Sequence, residues 1–327
     1  MEGKTMGTYY KITYKVAENR VDQSEIEQLL IDINNEVSTY IDTSIISKFN
    51  QSAEELILEG SPLYSSMEKQ ISGHFIANFM AAKDIFIQSG GYFDPTVMPL
   101  VNYWGFGYSE KRPVEAVDST TIDSLLEYVG FDKVELISAE PYIIKKAHPG
   151  TQLDFSALAK GYAVDVLGKW LESYDVEHYL VDIGGELRAM GKNSKDEFWR
   201  VGINKPEENS GTTELFSSVP LKNQSIATSG NYRNFYEVNG QKFSHTISPT
   251  TGFPERSNLL SASVFSEDCI VADAFATAFM TMGLEKAFEM AGSLNDLEAY
   301  FIYSKEDGSL DVKYTEGLRT YFEQRSN

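Results

Sequence analysis

The chain has 327 residues, 48 of them acidic and 28 basic, for a formal net charge of −20. A field of that sign repels nucleic acid and anionic lipid surfaces, which argues against a nucleic-acid partner, and any phosphate-bearing ligand needs a local cation. One cysteine, Cys269, rules out an intrachain disulfide, and four histidines (His74, His148, His178 and His245) without metal-ligand spacing argue against a structural zinc site.

At 42% hydrophobic residues the chain can build a large core without staples. No apolar run reaches the length of a membrane span. The opening "MEGKTMGTYY" lacks an apolar signal core, an expectation compatible with a cytosolic protein or with an export segment already removed.

Taken in chain order, "MGTYYKITYKV" is β-rich and alternating, which predicts a strand at about 7–16. A helix is expected at about 22–38, and a second at about 65–88, closed by Gly90-Gly91. The aromatic, Gly/Pro-punctuated "FDPTVMPLVNYWGFGYSEKRP" suits an ordered loop. "SLLEYVGFDKVELI" reads as helix then strand. "YIIKKAHPGTQLDFSALAKGYAVDVLGKWLESY" reads as two strands and a helix beginning near Ala159. "HYLVDIGGELRAMGK" is a strand pair about Gly184-Gly185. Further strands follow, with a polar loop at 205–214 and a hairpin turn at Asn239-Gly240. "IVADAFATAFMTMG" is a helix stopped by Gly283, and another helix and two strands complete the chain. The order predicts an α+β fold with a mainly antiparallel sheet, one domain over 1–327 with two lobes.

Four stretches carry candidate chemistry. In "LDFSALAKGYAVD", Asp154 closes a strand and Lys160-Gly161 opens a helix, whose free N–H groups and added cation could seat a phosphate. A plain strand-to-helix turn with a surface lysine explains it equally. "VDIGGELRAMG" reads as a tight turn or a backbone pressed against a ligand, and is not a dinucleotide fingerprint. In "FSHTISPTTG", His245 is placed to move protons or to be a hydrogen-bonded structural residue. In "ADAFATA", Asp273 and Thr277 lie four apart, hence on one helix face. The pair suits either helix-start capping by Asp273 or two oxygen ligands to a hard cation such as Mg²⁺.

Seven segments, "MGTYY", "STYIDTSIISKFN", "GGYFDPTVMPLVNYWGFG", "LDFSALAKGYAVD", "VDIGGELRAMG", "SHTISPTTG" and "ADAFATA", follow one another as in the ApbE family. The resemblance to these bacterial FAD:protein FMN transferases runs from about residue 5 to 290. It implies an α+β, tunnelling-fold-related architecture. It also implies a Mg²⁺-dependent reaction that splits FAD, passes FMN to a threonine hydroxyl of an acceptor protein and releases AMP. Many members are exported lipoproteins that modify membrane redox proteins, so the resemblance implies an extracytoplasmic, lipid-anchored protein whose partner is such a flavoprotein.

By position, Asp273 and Thr277 match the family's D-A-x-x-T metal ligands, and Ala157 matches a residue whose carbonyl completes the metal site. Asp154 and Lys160 match FAD-contacting positions, as do Met6, Tyr40, the run Tyr92-Phe93-Asp94, and Ile247. His245 is the candidate general base, with Asp154 the alternative. Ala276 stands where some members carry a second Asp, and Ser248 where Asp is frequent. Two other readings use the same residues: a Mg²⁺-dependent FAD pyrophosphatase, and an FAD-binding protein without turnover.

Overall fold

The computed structural model describes residues 1–15, 21–58, 73–107, 117–137, 142–206, 215–231, 235–238 and 241–322. In chain order these form β1 (Glu2–Thr5), β2 (Thr8–Tyr14), α1 (Gln23–Val37), α2 (Ile45–Gln51), β3 (Glu55–Leu58), α3 (His74–Gln88), α4 (Met98–Tyr103) and α5 (Ser119–Leu126). Next come β4 (Val134–Ile137), β5 (Tyr142–Lys146), α6 (Ala159–Ser173), β6 (Tyr179–Ile183), β7 (Glu186–Met190), β8 (Trp199–Asn204) and β9 (Leu215–Leu221). The chain continues through β10 (Gln224–Gly230), β11 (Phe235–Val238), β12 (Gln241–Ser244), β13 (Leu259–Ser266), α7 (Cys269–Met282), α8 (Leu284–Ser293), β14 (Leu297–Ser304), β15 (Leu310–Tyr314) and α9 (Arg319–Phe322). They divide into two compact units, one of Met1–Gln28, Lys160–Phe235 and Arg256–Asn327, the other of Leu29–Ala159 and Tyr236–Glu255.

The first unit is built on an eight-stranded sheet of order β1-β2-β6-β7-β10-β13-β14-β15. Every neighbouring pair runs antiparallel, as the sequence pattern predicts. The strand expected at 7–16 is half of a hairpin. Thr5 pairs with Thr8 across Met6 and Gly7, whose φ values of 48° and 71° give the doubly left-handed turn that matches strand twist.

Helix α7 packs on β10, β13 and α8. Ala272, Ala274, Ala276 and Ala278 are all fully buried, so this helix is covered on nearly every side, as its apolar sequence requires. It stops at Gly283, whose φ of 73° is open to glycine at little cost.

The start of α7 is capped from outside. Its own preceding residue, Asp268, makes no side-chain cap. Instead the carboxylate of Asp165, on α6, accepts the N–H groups of Cys269 and Ile270, each at 2.9 Å. Arg188 on β7 donates to the same carboxylate at 3.0 Å, and to the carbonyl of Glu267 at 3.0 Å. Burial pushes the Asp165 carboxyl up to about 6 despite the two N–H groups and Arg188, which pull the other way. Gly168 lets α6 lie against this network. A Cβ there would stand 2.7 Å from Arg188 Cδ and 2.8 Å from the Tyr179 hydroxyl.

The second unit carries the three-stranded antiparallel sheet β3-β5-β4 and a cluster of rings about Phe75, Phe79, Phe131 and Phe155. Lys146, on β5, is buried and donates to the carbonyls of Phe49, Asn50 and Thr151, closing the C-terminal end of α2. Burial lowers its pKa to about 8. Two short helices were not expected. Ser44 caps α2 by accepting the Ser47 N–H at 3.1 Å. Helix α4 arises inside the expected loop because Pro99 sits in its first turn, where a missing N–H costs nothing.

The helix expected at 65–88 begins at His74, behind Gly73 at a non-helical φ of 76°. Residues 65–72, the Asn239-Gly240 turn and residues 207–214 of the polar loop lie outside the described residues. Among the described residues no helix is long and apolar enough to cross a membrane.

Replacing Asp165 by Ala removes both external caps of α7 and leaves Arg188 buried without its nearest carboxylate. Urea unfolding of Asp165→Ala is expected to show a loss of about 3–5 kcal/mol relative to wild type.

Candidate functional site

Asp273 lies a full turn inside α7, so it cannot cap its own helix, and the helix-start reading of "ADAFATA" fails. Its carboxylate caps a different one. Asp273 Oδ2 accepts the N–H of Gly161, in the first turn of α6, at 3.0 Å. With Asp165 serving α7, the two helices exchange carboxylates. Gly161 makes the approach possible: a Cβ there would stand 2.4 Å from the Cys269 carbonyl oxygen and 2.9 Å from Asp273 Cβ.

Lys160, next to Gly161, meets Glu186 at the start of β7, with Nζ 2.5 Å from Oε1. Glu186 is only 4% exposed, and its second oxygen, Oε2, has no hydrogen-bond partner. Burial drives the Glu186 carboxyl up to about 7, with Lys160 opposing and Asp273 adding to the rise. Burial also raises Asp273, against Lys160 and the Gly161 N–H. For Lys160 burial works against the charge, but Asp273 and Glu186 outweigh it and hold the ammonium above its usual pKa. With all three ionised, two carboxylates face one ammonium, and the group lacks one positive charge. The Cys269 thiol beside it is pushed well up by burial, with Asp165 and Asp273 next in effect, so it is an inert thiol.

Thr277, half-buried, follows Asp273 on the same face of α7, and its hydroxyl meets Ser229 Oγ on β10 at 3.1 Å. Among the described residues no group of three or more His, Cys, Asp or Glu side chains could hold a metal ion. One carboxylate, one hydroxyl and an unneutralised buried charge do fit a hard cation that takes its other ligands from phosphate and water. Ala276 is fully buried, so this face of α7 offers no second carboxylate at that position.

The remaining first-unit candidate, Met6, forms the β1–β2 turn. In the second unit, Tyr40 is 70% exposed, and partial desolvation followed by the charge of Asp154 raises its pKa. Asp154 Oδ1 accepts from the Ser156 N–H at 2.9 Å and hydroxyl at 2.6 Å, and burial raises its pKa. Its N–H donates to the Pro95 carbonyl at 2.7 Å, which ties it to the Asp94 loop. Ala157 lies in the turn that leads into α6.

Asp94 Oδ1 accepts the Thr96 N–H at 2.8 Å and hydroxyl at 2.5 Å, while burial lifts its pKa to about 6. Phe93 is buried beside it, and Tyr92 is half-buried. Ile247 belongs to an apolar cluster with Leu100, Trp104, Ile122 and Val129. His245 meets Phe106 edge-on at 6.3 Å between centroids. Ser248 accepts the Thr251 N–H at 3.3 Å, a side-chain acceptor that closes the turn.

A family profile described as "ApbE family" matches residues 6–301. The chain belongs to the ApbE family. It is 35% identical to the FAD:protein FMN transferase of Haemophilus influenzae, over 94% of this chain and 87% of that protein. It is 34% identical to the FAD:protein FMN transferase of Vibrio cholerae, over 94% and 88%. Among solved structures, the flavin transferase ApbE from Vibrio cholerae superposes with a TM-score of 0.83 at 32% identity, covering 98% of both chains. The apo flavinyl transferase ApbE of Pseudomonas stutzeri also gives 0.83, at 28% identity over 98% and 96%. The architecture is thus that of the ApbE flavin transferases, as expected from the motifs.

Within this ApbE fold the sequence reading overlooked Glu186, Ser229 and Asp165. One signal was available for Glu186. In the strand "ELRAM" the two charges, Glu186 and Arg188, alternate onto one face, and both are buried. Opposite charges repeated on the inner face of a strand require partners, here Lys160 and Asp165.

Folding raises the Asp94 pKa from 3.8 to about 6, so the folded protein holds this proton more tightly than the unfolded chain. Its contribution favours the fold at and below pH 3.8 and is lost as pH climbs through 6. Asp94→Asn keeps the acceptor oxygen and removes the charge. Urea titrations at pH 4 and pH 7 should show stability shifting in favour of Asp94→Asn by up to about 3 kcal/mol at the higher pH.

Proposed function

We propose that this protein transfers the FMN moiety of FAD to a threonine hydroxyl of an acceptor protein, with AMP as leaving group and Mg²⁺ as the required cation. The observation that carries the reading is the buried group on α6, α7 and β7: Asp273 and Thr277 on one face of α7, with Lys160 and Glu186 beside Asp273. Membership of the ApbE family and the named activity of its relatives support the same reaction. Bound Mg²⁺ supplies the positive charge that a diphosphate needs in a chain of net charge −20.

The chain's own residues do the rest. Asp273 spends Oδ2 on the Gly161 N–H, which leaves Oδ1 as the oxygen offered to a cation. Ser229 Oγ, 3.1 Å away, holds the Thr277 hydroxyl in place on the same helix face as Asp273. Lys160, held protonated, balances part of the charge of Asp273 and Glu186. The exposed ring of Tyr40 is a stacking surface for the isoalloxazine, with Asp154 close by in the same unit.

The threonine oxygen of the acceptor attacks the phosphorus on the FMN side of the diphosphate. The P–O bond to the AMP phosphate breaks, and the hydroxyl proton passes to a base, for which His245 is proposed. The chain needs no nucleophile of its own. We propose, from the family resemblance alone, an extracytoplasmic placement.

The test is incubation with FAD, MgCl₂ and an exported flavoprotein acceptor, read by intact-protein and peptide mass spectrometry. An FMN-sized increase on one threonine is expected with wild type, and Asp273→Ala should lower its rate by at least about 10³-fold. AMP release from FAD at the same rate with and without acceptor would replace the transferase reading with a pyrophosphatase. Intact FAD after prolonged incubation with Mg²⁺ and acceptor would leave only a binding protein.

A further inference from the structure

Glu186 is the charged residue whose chemistry the transfer reaction leaves unused. It opens β7 directly after Gly184 and Gly185, which turn at φ values of 65° and 108°. The strand's alternation sends the side chain to the face where α6 and α7 carry Lys160 and Asp273. One oxygen, Oε1, is spent on the Lys160 ammonium at 2.5 Å. The other, Oε2, is buried with no hydrogen-bond partner, although the residue is only 4% exposed. A carboxylate oxygen in that state costs free energy unless a donor meets it when the site is loaded. Lys160, which Glu186 holds, adjoins Gly161, whose N–H Asp273 accepts, so both carboxylates meet the first turn of α6.

We propose, on the basis of the metal reading above, that Glu186 is a positioning residue for the divalent cation: Oε1 anchors Lys160 beside Asp273, and Oε2 is a buried acceptor for the water shell of the bound Mg²⁺. Mg²⁺ keeps several waters when few protein ligands bind it, and those waters are strong donors. Glu186 thereby supplies the negative charge that makes the site attract a dication although Lys160 stands inside it. Glu186 and Lys160 therefore act on cation affinity with opposite signs, which a purely structural ion pair would not do.

The experiment is isothermal titration calorimetry of the full chain with MgCl₂ in the absence of nucleotide, with circular-dichroism melts as the folding control. Glu186→Gln should weaken Mg²⁺ binding by about tenfold or more. Lys160→Gln, which leaves two carboxylates and no ammonium, should tighten it several-fold. Asp273→Ala should abolish it. Absence of a wild-type isotherm, or an unchanged one in Asp273→Ala, overturns the metal reading and the Glu186 assignment with it. Loss of binding in Asp273→Ala together with wild-type affinity in a folded Glu186→Gln overturns the assignment alone. If Glu186→Gln does not fold, Lys160→Gln decides: equal or weaker affinity than wild type rejects the proposal.

Discussion

The exchange of carboxylates between α6 and α7 is the constraint on which the candidate site depends. Asp165 leaves α6 to cap α7, and Asp273 leaves α7 to take an N–H at the start of α6. Each bond satisfies a helix-terminal donor that would otherwise be buried without a partner. Each also places an anion at the positive end of a helix dipole. The exchange works only at close range, and Gly161 sets that range, since any side chain there would meet the Cys269 carbonyl. A single geometric requirement thus fixes the position of Asp273 and, one helical turn on, of Thr277.

The charge balance follows from that geometry. In a chain of net charge −20, a cation near the α6 N-terminus is the obvious place to seat a phosphate. The structure spends most of that positive potential internally. Lys160 is shared between Glu186 and Asp273, and the Gly161 N–H is taken by Asp273. What the site presents is a hydroxyl and carboxylate oxygens around a lysine that cannot neutralise both acids. That inventory of oxygens is the basis of the proposed cation site.

The second unit meets the same problem of buried polar groups with local turns. Asp94 and Asp154 each accept an N–H and a hydroxyl from the residue two positions on, and a backbone bond from Asp154 to Pro95 ties the two loops together. Lys146 performs the corresponding task with three carbonyls. Asp94 and Asp154, which the motifs single out there, are therefore held by their own neighbours in sequence.

Residue order alone determined the α+β class, the antiparallel ladder, the span of α7 and its stop at Gly283, and the pairing of Asp273 with Thr277 on one face. All of these follow from periodicity, turn chemistry and the succession of motifs, which are properties of neighbours along the chain. Tertiary structure decided the rest. Asp273 caps a helix that begins 114 positions earlier, at Ala159, and Lys160 pairs with a carboxylate on the second strand of the pair about Gly184-Gly185. It also decided that α4 forms where prolines and aromatics suggested a loop, and that α7 is capped by Asp165 rather than by Asp268. The physical reason is that a buried charge or donor is satisfied by whatever partner the packed fold brings within about 3 Å. That partner has no fixed spacing in the sequence.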